Sequence, residues 1–192
     1  MAVETGHSIT AEAVRLFGSQ GYAATSMEKI RRSAGVSNGS LYHLYPTKAA
    51  LAARLYSDGM QQCQQGILAA IESASSPMLA VRGAVSFQAL WVDRHVELAR
   101  LTYADWHDDV IAAAAPRLDE SSRQYVRTVD GWLRHHIAEG RLIEGPFAVL
   151  HALWLGPTQE FCRQWLSGRA RPRPRHVADQ LADGAWRVLR RP

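Results

Sequence analysis

The sequence predicts an all-α protein of about nine helices, and three observations support this prediction. Apolar residues recur at spacings of three and four along most of the 192-residue chain, which is the spacing that buries one face of a helix. The alternation of apolar and polar residues that is typical of strands is nearly absent. Clusters of Gly, Pro and Ser divide the chain into segments of helical length, and an apolar content of 47% is enough for a sizeable core.

The first predicted helix is amphipathic and ends at a glycine. Its apolar positions follow the i, i+4, i+7, i+8 pattern of a single buried stripe, and they are occupied by Ile9, Ala13, Leu16 and Phe17. Gly21 comes about one turn later. Glycine readily adopts the left-handed conformation that commonly closes a helix, so we expect the helix to stop there.

The second predicted helix begins with the capping-box pattern Thr25-x-x-Glu28, in which each side chain accepts a hydrogen bond from the other residue's backbone N–H. Gly35 follows the last turn of this helix. Glycine permits the positive φ that a sharp turn between two helices often needs. The inner, apolar face of the helix consists of Met27, Ile30 and Ala34.

The third and fourth predicted helices are separated by a proline. Ser37 is placed to cap the third helix, and Pro46 ends it because proline disfavours the helical conformation of the residue before it. Thr47 caps a fourth helix, which begins at Lys48 and carries apolar residues to about position 71. The fourth helix contains two glycines that lower its intrinsic stability, Gly59 and Gly66.

The rest of the chain is predicted to be helical as well. Ser75-Ser76-Pro77 is the first break, and Pro116, Gly140 and Gly145-Pro146 are interpreted as further separators. We therefore expect a small unit over residues 1–50 and a larger helical unit over residues 51–192. The predicted helical segments of the larger unit after the break are approximately 78–93, 95–113, 117–139, 146–167 and 175–190.

The charge is distributed unevenly along the chain. Residues 1–56 carry 6 basic and 3 acidic side chains, residues 57–168 carry 9 and 13, and residues 169–192 carry 7 and 2. A basic N-terminal segment joined to an acidic middle is typical of a nucleic-acid reader attached to a second module. The basic Arg/Pro tract at 169–175 is interpreted as a solvated loop, with non-specific attraction to DNA as the alternative.

The composition also excludes several classes of protein. No apolar run approaches the length of a membrane span, and the N-terminus lacks the basic and apolar regions of a signal peptide. Cys63 and Cys162 form no C-x-x-C motif and are expected to be reduced thiols. We therefore expect a cytoplasmic protein without a cofactor and without contact with a membrane.

Residues 25–48 are the most informative segment. They form two predicted short helices joined by the tight turn Ala34-Gly35-Val36, and the second helix carries small polar and aromatic side chains on one face. A helix of this kind can enter the major groove of DNA, while the helix before it braces the backbone. The segment therefore predicts a helix-turn-helix DNA-binding domain.

Over about residues 8–56, the sequence resembles the TetR family of bacterial transcription regulators. The resemblance implies a homodimer that binds an operator, a larger C-terminal helical domain for a small-molecule effector and for dimerisation, and most often repression. The residues that carry it, in order, are Ile9, Ala13, Leu16-Phe17, Gly21-Tyr22, Ala24-Thr25-Ser26, Ile30, Ala34-Gly35-Val36-Ser37, Gly39-Ser40-Leu41-Tyr42-His43, Tyr45-Pro46-Thr47-Lys48 and Leu51.

The residues expected to contact DNA lie at the ends of the two short helices and on the outer face of the second. Asn38 departs from the basic residue that is frequent in the family, and its amide can bond adenine through two hydrogen bonds. Leu41 and Tyr45 are expected to face inward, and Leu44 is expected to pack rather than to contact DNA. The full predicted DNA-binding set is Thr25, Ser26, Ser37, Asn38, Gly39, Ser40, Tyr42, His43 and Lys48, with Lys48 as a phosphate clamp.

The C-terminal domain offers aromatic residues that suit a small-molecule pocket, a dimer interface or simply a core. The predicted ligand-binding set is Trp91, Tyr103, Trp106, His107, Trp132 and Trp154. Dimerisation is expected through the last two long helices, by Leu150, Leu153, Phe161, Trp165, Leu181 and Trp186. No residues are assigned to a metal, and His135-His136 and His151 are interpreted as structural or pocket-lining.

Four other functions remain open at this stage. The first is an activator or a ligand-independent regulator of the same fold. The second is a small helical metal-dependent enzyme that uses His107, Asp108 and Asp109, and the third is a helical interaction module that binds no DNA. The fourth is a hydrolase, because residues 35–39 fit the pattern G-x-S-x-G, but that nucleophile elbow requires a strand that is not predicted here. We therefore expect no enzymatic activity.

Overall fold

The computed structural model describes residues 2–104 and 106–192. Within these residues the protein consists of α-helices and the loops between them, and it contains no β-strand. This confirms the predicted all-α fold with an N-terminal helix-turn-helix. No helix in the described part of the chain combines the length and the apolar composition that a membrane crossing requires. The helices are α1 (Ala2–Gln20), α2 (Met27–Ala34), α3 (Asn38–Leu44), α4 (Lys48–Glu72), α5 (Pro77–Arg94), α6 (Val96–Thr102), α7 (Asp108–Ala138), α8 (Phe147–Leu166) and α9 (Pro174–Leu189).

The chain folds into two compact units. The first unit comprises Met1–Gln61 and Val96–Asp119, and the second comprises Gln62–His95 and Glu120–Pro192. The first unit therefore contains α6 and the start of α7 in addition to the helix-turn-helix. These units describe packing alone, so the functional division at residue 50 stays a prediction.

The core of the first unit forms around the apolar stripe of α1. Ile9 and Phe17 from this stripe are buried together with Ile30 of α2, Leu41 of α3 and Leu51 of α4. The α6 helix packs against α1, and the guanidinium of Arg100 donates a hydrogen bond of 3.0 Å to the carbonyl of Gly18. The inward orientation predicted for Leu41 is confirmed, and it fixes which face of α3 points outward.

Two predicted helix boundaries around residues 95–117 are wrong. The segment predicted as 95–113 ends at Thr102, and the Trp106 indole N–H closes the following turn with a 2.8 Å hydrogen bond to the Leu101 carbonyl. Pro116 does not separate two helices but lies inside α7, where it is exposed. Burial of α7 residues on both sides of the proline outweighs the backbone hydrogen bond that proline removes. The residues buried there are Val110, Ala114, Tyr125, Val129 and Leu133.

The second unit is built on the packing of α5 against α9 and α8. Small side chains of α9, among them Ala178 and Ala182, are buried and allow close approach of the helices. The Trp154 side chain of α8 is fully buried, and its indole N–H donates a 3.0 Å hydrogen bond to the Val81 carbonyl of α5. Pro157 lies inside α8, which remains one helix through the Gly156-Pro157 pair.

The Arg/Pro tract is only partly the solvated loop that was predicted. Arg173 donates from Nε to Asp93 Oδ1 at 2.8 Å and from Nη2 to Oδ2 at 3.1 Å and to the Asp93 carbonyl at 3.2 Å. The Asp93 side chain is buried, so this two-pronged pair compensates for the removal of the carboxylate from water. The pair fixes the loop before α9 to the end of α5.

Two glycines of α4 permit close approach of neighbouring side chains. A Cβ at Gly59 would collide with the Thr102 hydroxyl in the first unit, and a Cβ at Gly66 would collide with the Phe87 ring in the second. These positions therefore have a packing reason to be glycine, which compensates for the low helix propensity of the residue.

We expect Gly66→Ala to lower the free energy of unfolding by about 1–3 kcal/mol, because the added methyl group displaces the Phe87 ring. Gly131→Ala in α7 is the matched control: nothing lies within 4 Å of a Cβ there, so alanine should stabilise that helix by about 0.5–1 kcal/mol. Urea denaturation followed by circular dichroism, at one fixed protein concentration, measures both. A Gly66→Ala variant as stable as the original chain would contradict the packing argument.

Candidate nucleic-acid interface

The turn between α2 and α3 is held by three hydrogen bonds. Gly35 has φ 66°, in the left-handed region, as its position after the helix predicted. Its N–H donates to the Arg32 carbonyl at 3.2 Å, and the Val36 N–H donates to the Arg31 carbonyl at 3.2 Å. Arg31 returns a hydrogen bond from its guanidinium to the Val36 carbonyl at 3.0 Å. These bonds satisfy the last carbonyls of α2 and set the direction in which α3 leaves the turn.

The cap of α2 is Ser26, not Thr25. The Ser26 hydroxyl accepts a hydrogen bond of 3.2 Å from the Lys29 N–H. Thr25 is only 1% exposed, and its hydroxyl donates to the carbonyls of Gly21 at 2.9 Å and Leu16 at 3.3 Å. The predicted capping box is therefore wrong: the helix has a serine cap one residue later, with Lys29 where the box requires Glu or Gln. A phosphate contact through the Thr25 hydroxyl has no geometric support, whereas Ser26 is exposed at the helix N-terminus.

Glu28, the other half of the predicted capping box, pairs with two arginines instead. Its carboxylate accepts from Arg31 Nε at 2.8 Å and from Arg32 Nε at 2.6 Å. The hydrogen bond from Arg31, followed by that from Arg32, lowers the pKa of Glu28 to about 2. Glu28 is therefore an anion at all physiological pH values, and it partly neutralises the two cations beside the turn.

The outer face of α3 is polar, and most of its side chains are exposed and make no hydrogen bond within the described residues. Ser37 caps the helix as predicted, since its hydroxyl accepts from the Ser40 N–H at 3.1 Å, and it also lies 2.9 Å from the Ser40 hydroxyl. Asn38, Tyr42 and His43 are exposed, and Tyr42 retains 48% of its accessible surface. Within the described residues, none of these three side chains makes a hydrogen bond or an ion pair.

Gly39 has no structural reason to be glycine. Its φ is not positive, and among the described residues, apart from its chain neighbours and the backbone of α3, a Cβ there would meet only the Ser37 hydroxyl oxygen at 3.8 Å. The residue lies on the exposed surface of α3. The absence of a side chain there leaves room for an external surface to approach the α3 backbone.

Two neighbours of this face differ from expectation. Leu44 was expected to pack, but it is exposed at the end of α3. Lys48 was predicted as a phosphate clamp, but its ammonium donates to the carbonyls of Tyr22 at 3.0 Å and Thr25 at 3.2 Å. It also lies 4.2 Å from the centre of the Tyr22 ring. Lys48 therefore fastens the α1–α2 loop to the start of α4, and two of the three donors of its ammonium group are used inside the protein.

The basic side chains of residues 1–56 are all engaged in contacts within the chain. Besides the Arg31 and Arg32 pairs and Lys48, Arg15 pairs with Glu12 at 2.7 Å and Arg54 pairs with Asp58 at 2.7 Å. Lys29 bonds to the Gln20 side-chain oxygen. The positively charged groups of this segment are therefore positioned by contacts within the protein. The side chains of α3 that remain available for an external partner are mainly neutral polar groups.

The aromatic residues predicted for a ligand pocket are divided between the two units. In the first unit, Trp106 contacts the Tyr22 ring edge-on at 5.5 Å, and the His107 ring lies 6.1 Å from Tyr22. In the second unit, the Trp132 and Trp154 rings lie 5.2 Å apart. Of the remaining two, Trp91 lies 5.4 Å from the His95 ring and Tyr103 is half-buried after α6.

A buried polar group in the second unit was not identified from the sequence. The Tyr125 hydroxyl and His151 Nε2 are hydrogen-bonded at 3.1 Å. Burial raises the pKa of Tyr125 and lowers the pKa of His151, so both side chains are neutral near pH 7. Among the described residues, the Thr158 hydroxyl and the Gln64 side-chain oxygen are buried without a partner. A polar residue in a helical sequence pattern is normally expected to face solvent. The burial of these side chains therefore became visible only from their neighbours in the folded structure.

The residues predicted for dimerisation have different environments. Leu153 is 38% exposed, next to exposed Val149 on the same helix. Leu150 is only 2% exposed, so its side chain packs within its own chain. The other four are half-buried on α8 and α9: Phe161, Trp165, Leu181 and Trp186.

Comparison with known proteins agrees with this geometry. Residues 9–55 match the family model for bacterial regulatory proteins of the tetR family. No curated protein sequence is significantly similar to the chain. The match covers the whole helix-turn-helix together with the start of α4.

The complete fold is similar to solved structures of regulators. The FadR transcriptional regulator from Bacillus subtilis, in complex with stearoyl-CoA, is 18% identical over 93% of this chain and 96% of that one, with a TM-score of 0.78. The fatty acid degradation regulator FadR from Bacillus halodurans is 17% identical over 94% and 97%, with a TM-score of 0.77. A TetR family regulator from Marinobacter aquaeolei VT8 is 18% identical over 98% and 97%, with a TM-score of 0.73. At these identities the similarity establishes the fold.

We expect Lys48→Met to lower the free energy of unfolding by about 1–3 kcal/mol, because the Tyr22 and Thr25 carbonyls lose their donor. Lys29→Met is the matched control, since Lys29 is exposed and contacts only the Gln20 side chain; its effect should stay within about 0.5 kcal/mol. Chemical denaturation at fixed protein concentration distinguishes the two. Equal stability of both variants would mean that the Lys48 bonds do not hold the loop.

Proposed function

Because the chain belongs to the TetR family of bacterial regulatory proteins, we propose that it is a homodimeric transcriptional repressor that a small molecule releases from its operator. The observation that carries the proposal is the outer face of α3: it is polar, its Asn38, Tyr42 and His43 side chains are exposed, and hydrogen bonds hold the turn before it. A DNA-binding protein needs a surface of this kind, since a side chain already bonded within the protein cannot also read a base.

Direct base recognition is assigned to the start and the outer face of α3. The Asn38 amide suits the donor–acceptor pair of an adenine edge, and the bare backbone at Gly39 lets α3 lie deep in the major groove. Tyr42 and His43 extend from the same face toward phosphates or bases. Ser26, together with the exposed N-terminus of α2, supports a phosphate contact through backbone N–H groups and the helix dipole.

Thr25 and Lys48 take supporting roles in this proposal. Both side chains make hydrogen bonds within the protein: the Thr25 hydroxyl and the Lys48 ammonium donate to carbonyls of the loop before α2. They hold the N-terminus of α2 in place, so that the phosphate contact at Ser26 is made by a preorganised backbone. The hydroxyls of Ser37 and Ser40 bond to each other and hold the first turn of α3 on its outer face.

Dimerisation is assigned to α8 and α9. Exposed apolar side chains on these helices, including Leu153 and Val188, support an apolar contact between two copies. A two-fold dimer presents two copies of α3 to successive major grooves, which corresponds to a pseudo-palindromic operator. The half-buried aromatic residues of both helices extend the same surface.

The effector is proposed to bind in the second unit, where Thr158 and Gln64 carry buried oxygen atoms without partners and Tyr125 bonds to His151. Such groups would orient a ligand that offers hydrogen-bond donors. Ligand binding releases DNA only if the ligand prefers the dimer geometry in which the two α3 helices do not match the operator. Because FadR from Bacillus subtilis was solved with stearoyl-CoA, a long-chain acyl-CoA is the first compound to test.

Gly39→Ala should weaken specific DNA binding by about tenfold or more, while leaving the fold intact, because a methyl group would separate the α3 backbone from the groove. Fluorescence anisotropy with DNA from upstream of the gene, against scrambled DNA and at several salt concentrations, measures the dissociation constant. Gly131→Ala serves as the matched control and should bind as the original chain does. Addition of stearoyl-CoA to the complex then tests release.

The same assay separates the alternatives. Absence of binding to any DNA at low salt would contradict the regulator proposal altogether. Normal binding by Gly39→Ala would contradict the assignment of the α3 face while leaving the function standing. Specific binding, together with increased transcription of the downstream gene in a separate reporter measurement, would replace the repressor with an activator.

Leu153→Glu should convert the dimer into a monomer at micromolar concentration, since a buried, unpaired carboxylate in the interface is strongly unfavourable. Ile111→Glu in α7 is the control: Ile111 is an apolar residue outside α8 and α9 with an exposure of 44%, similar to the 38% of Leu153. Sedimentation velocity gives the mass of each variant. A Leu153→Glu protein that remains dimeric would place the interface elsewhere.

A further inference from the structure

The last turn of α7 and the residue after it bring together His135, His136 and Glu139. We propose that these three side chains form a binding site for a divalent transition-metal ion. The possible ligand atoms of the three residues all lie within 4.8 Å of one another. This site is separate from the α3 face, and the proposal does not depend on the regulatory function.

The geometry converges on one carboxylate oxygen. Glu139 Oε2 lies 2.9 Å from His136 Nδ1 and 3.4 Å from His135 Nε2. Two imidazole nitrogens therefore lie close to the same oxygen from neighbouring positions on the helix. A metal ion can replace the hydrogen bond between His136 and Glu139 after small rotations of the side chains, and water completes its coordination. The result would be a three-ligand site with an open position.

Surrounding contacts hold the ligands in position. The Trp132 ring contacts the His136 ring edge-on, with centroids 4.7 Å apart, and His136 is buried. Arg141 donates to the second Glu139 oxygen, Oε1, at 3.3 Å, which leaves Oε2 for the metal. Supporting bonds of this kind orient metal ligands and raise affinity. The hydrogen bond from His136 also lowers the pKa of Glu139, so the carboxylate is ionised at neutral pH.

The donor set selects the class of metal. Two imidazoles with one carboxylate suit Zn²⁺, Ni²⁺, Co²⁺ or Cu²⁺, whereas Mg²⁺ and Ca²⁺ prefer oxygen ligands. Glu139 follows His135 by four residues and His136 by three, and these spacings are equally typical of ordinary ion pairs on a helix, so the sequence pattern alone did not single out a metal site. The third ligand comes from beyond the end of the helix, where the structure of the turn decides its position.

Metal binding would stabilise the end of α7 against the end of α9. The His136 carbonyl accepts from the N–H groups of Arg141 at 2.9 Å and Leu142 at 3.3 Å. The same turn pairs with the chain after α9: the Ile143 N–H donates to the Leu189 carbonyl at 2.9 Å, and the Arg191 N–H donates to the Arg141 carbonyl at 3.1 Å. A metal that fixes His136 and Glu139 therefore fixes a connection between two helices of the second unit.

The test uses the full chain without a polyhistidine tag, freed of metal by a chelator and then returned to chelator-free buffer. Zn²⁺ should bind with one ion per chain by mass spectrometry of dialysed protein, and Co²⁺ should give visible d–d absorption. At a hundredfold excess over the dissociation constant, Zn²⁺ should raise the Tm by about 5 °C. Cu²⁺ should quench the fluorescence of Trp132, whereas Mg²⁺ should change none of these signals.

Variants at exposed ligands separate metal binding from folding. His135→Gln and Glu139→Gln should each weaken Zn²⁺ binding by about tenfold or more, with an unchanged circular dichroism spectrum. His176→Gln is the matched control, because His176 is exposed on α9 outside the cluster; it should bind Zn²⁺ as the original chain does. No Zn²⁺ binding by the original chain, or undiminished binding by both ligand variants, would overturn the proposal and leave a hydrogen-bonded helix end.

Discussion

Close approach of helices at glycine positions is the constraint on which both units depend. Gly18 of α1 accommodates the side chain of Glu97, Gly59 of α4 accommodates Thr102, and Gly66 accommodates Phe87. A larger residue at any of these points would push apart helices whose packing forms the core. In the first unit this packing fixes α1 and α6, and α1 is the helix against which α2 and α3 are oriented.

The charged groups mainly organise the protein and leave the neutral polar groups for recognition. Lys48 and Arg31 donate to carbonyls of loops, and Arg173, just before α9, donates to the Asp93 carbonyl in the last turn of α5, so each bond fixes a loop next to a helix end. Such bonds satisfy backbone groups that would otherwise be buried without partners, which makes them more valuable than exposed ion pairs. The outer face of α3 in consequence presents an amide, a phenol and an imidazole instead of a row of cations.

The differences between expectation and structure have a common physical cause. The cap of α2 is Ser26 rather than Thr25, because the Thr25 hydroxyl finds carbonyl partners in α1 and just after it, which a local pattern does not include. Pro116 was taken as a separator because proline is a poor helix residue, yet buried side chains on both sides keep α7 continuous. Lys48 was assigned to phosphate because of its charge, yet the α1–α2 loop lies within its reach. In each case a contact across the fold outweighed a local preference.

The sequence by itself determined the all-α class, the caps at Ser37 and Thr47, the left-handed residues Gly21 and Gly35, and the buried stripe of α1. These features depend on residues within one or two turns of each other, so spacing and residue type are sufficient to predict them. Only the tertiary structure decided which polar side chains are buried, paired or uncommitted. The Tyr125–His151 pair and the Asp93–Arg173 pair join residues brought together from distant segments of the chain, and a linear pattern does not contain such contacts.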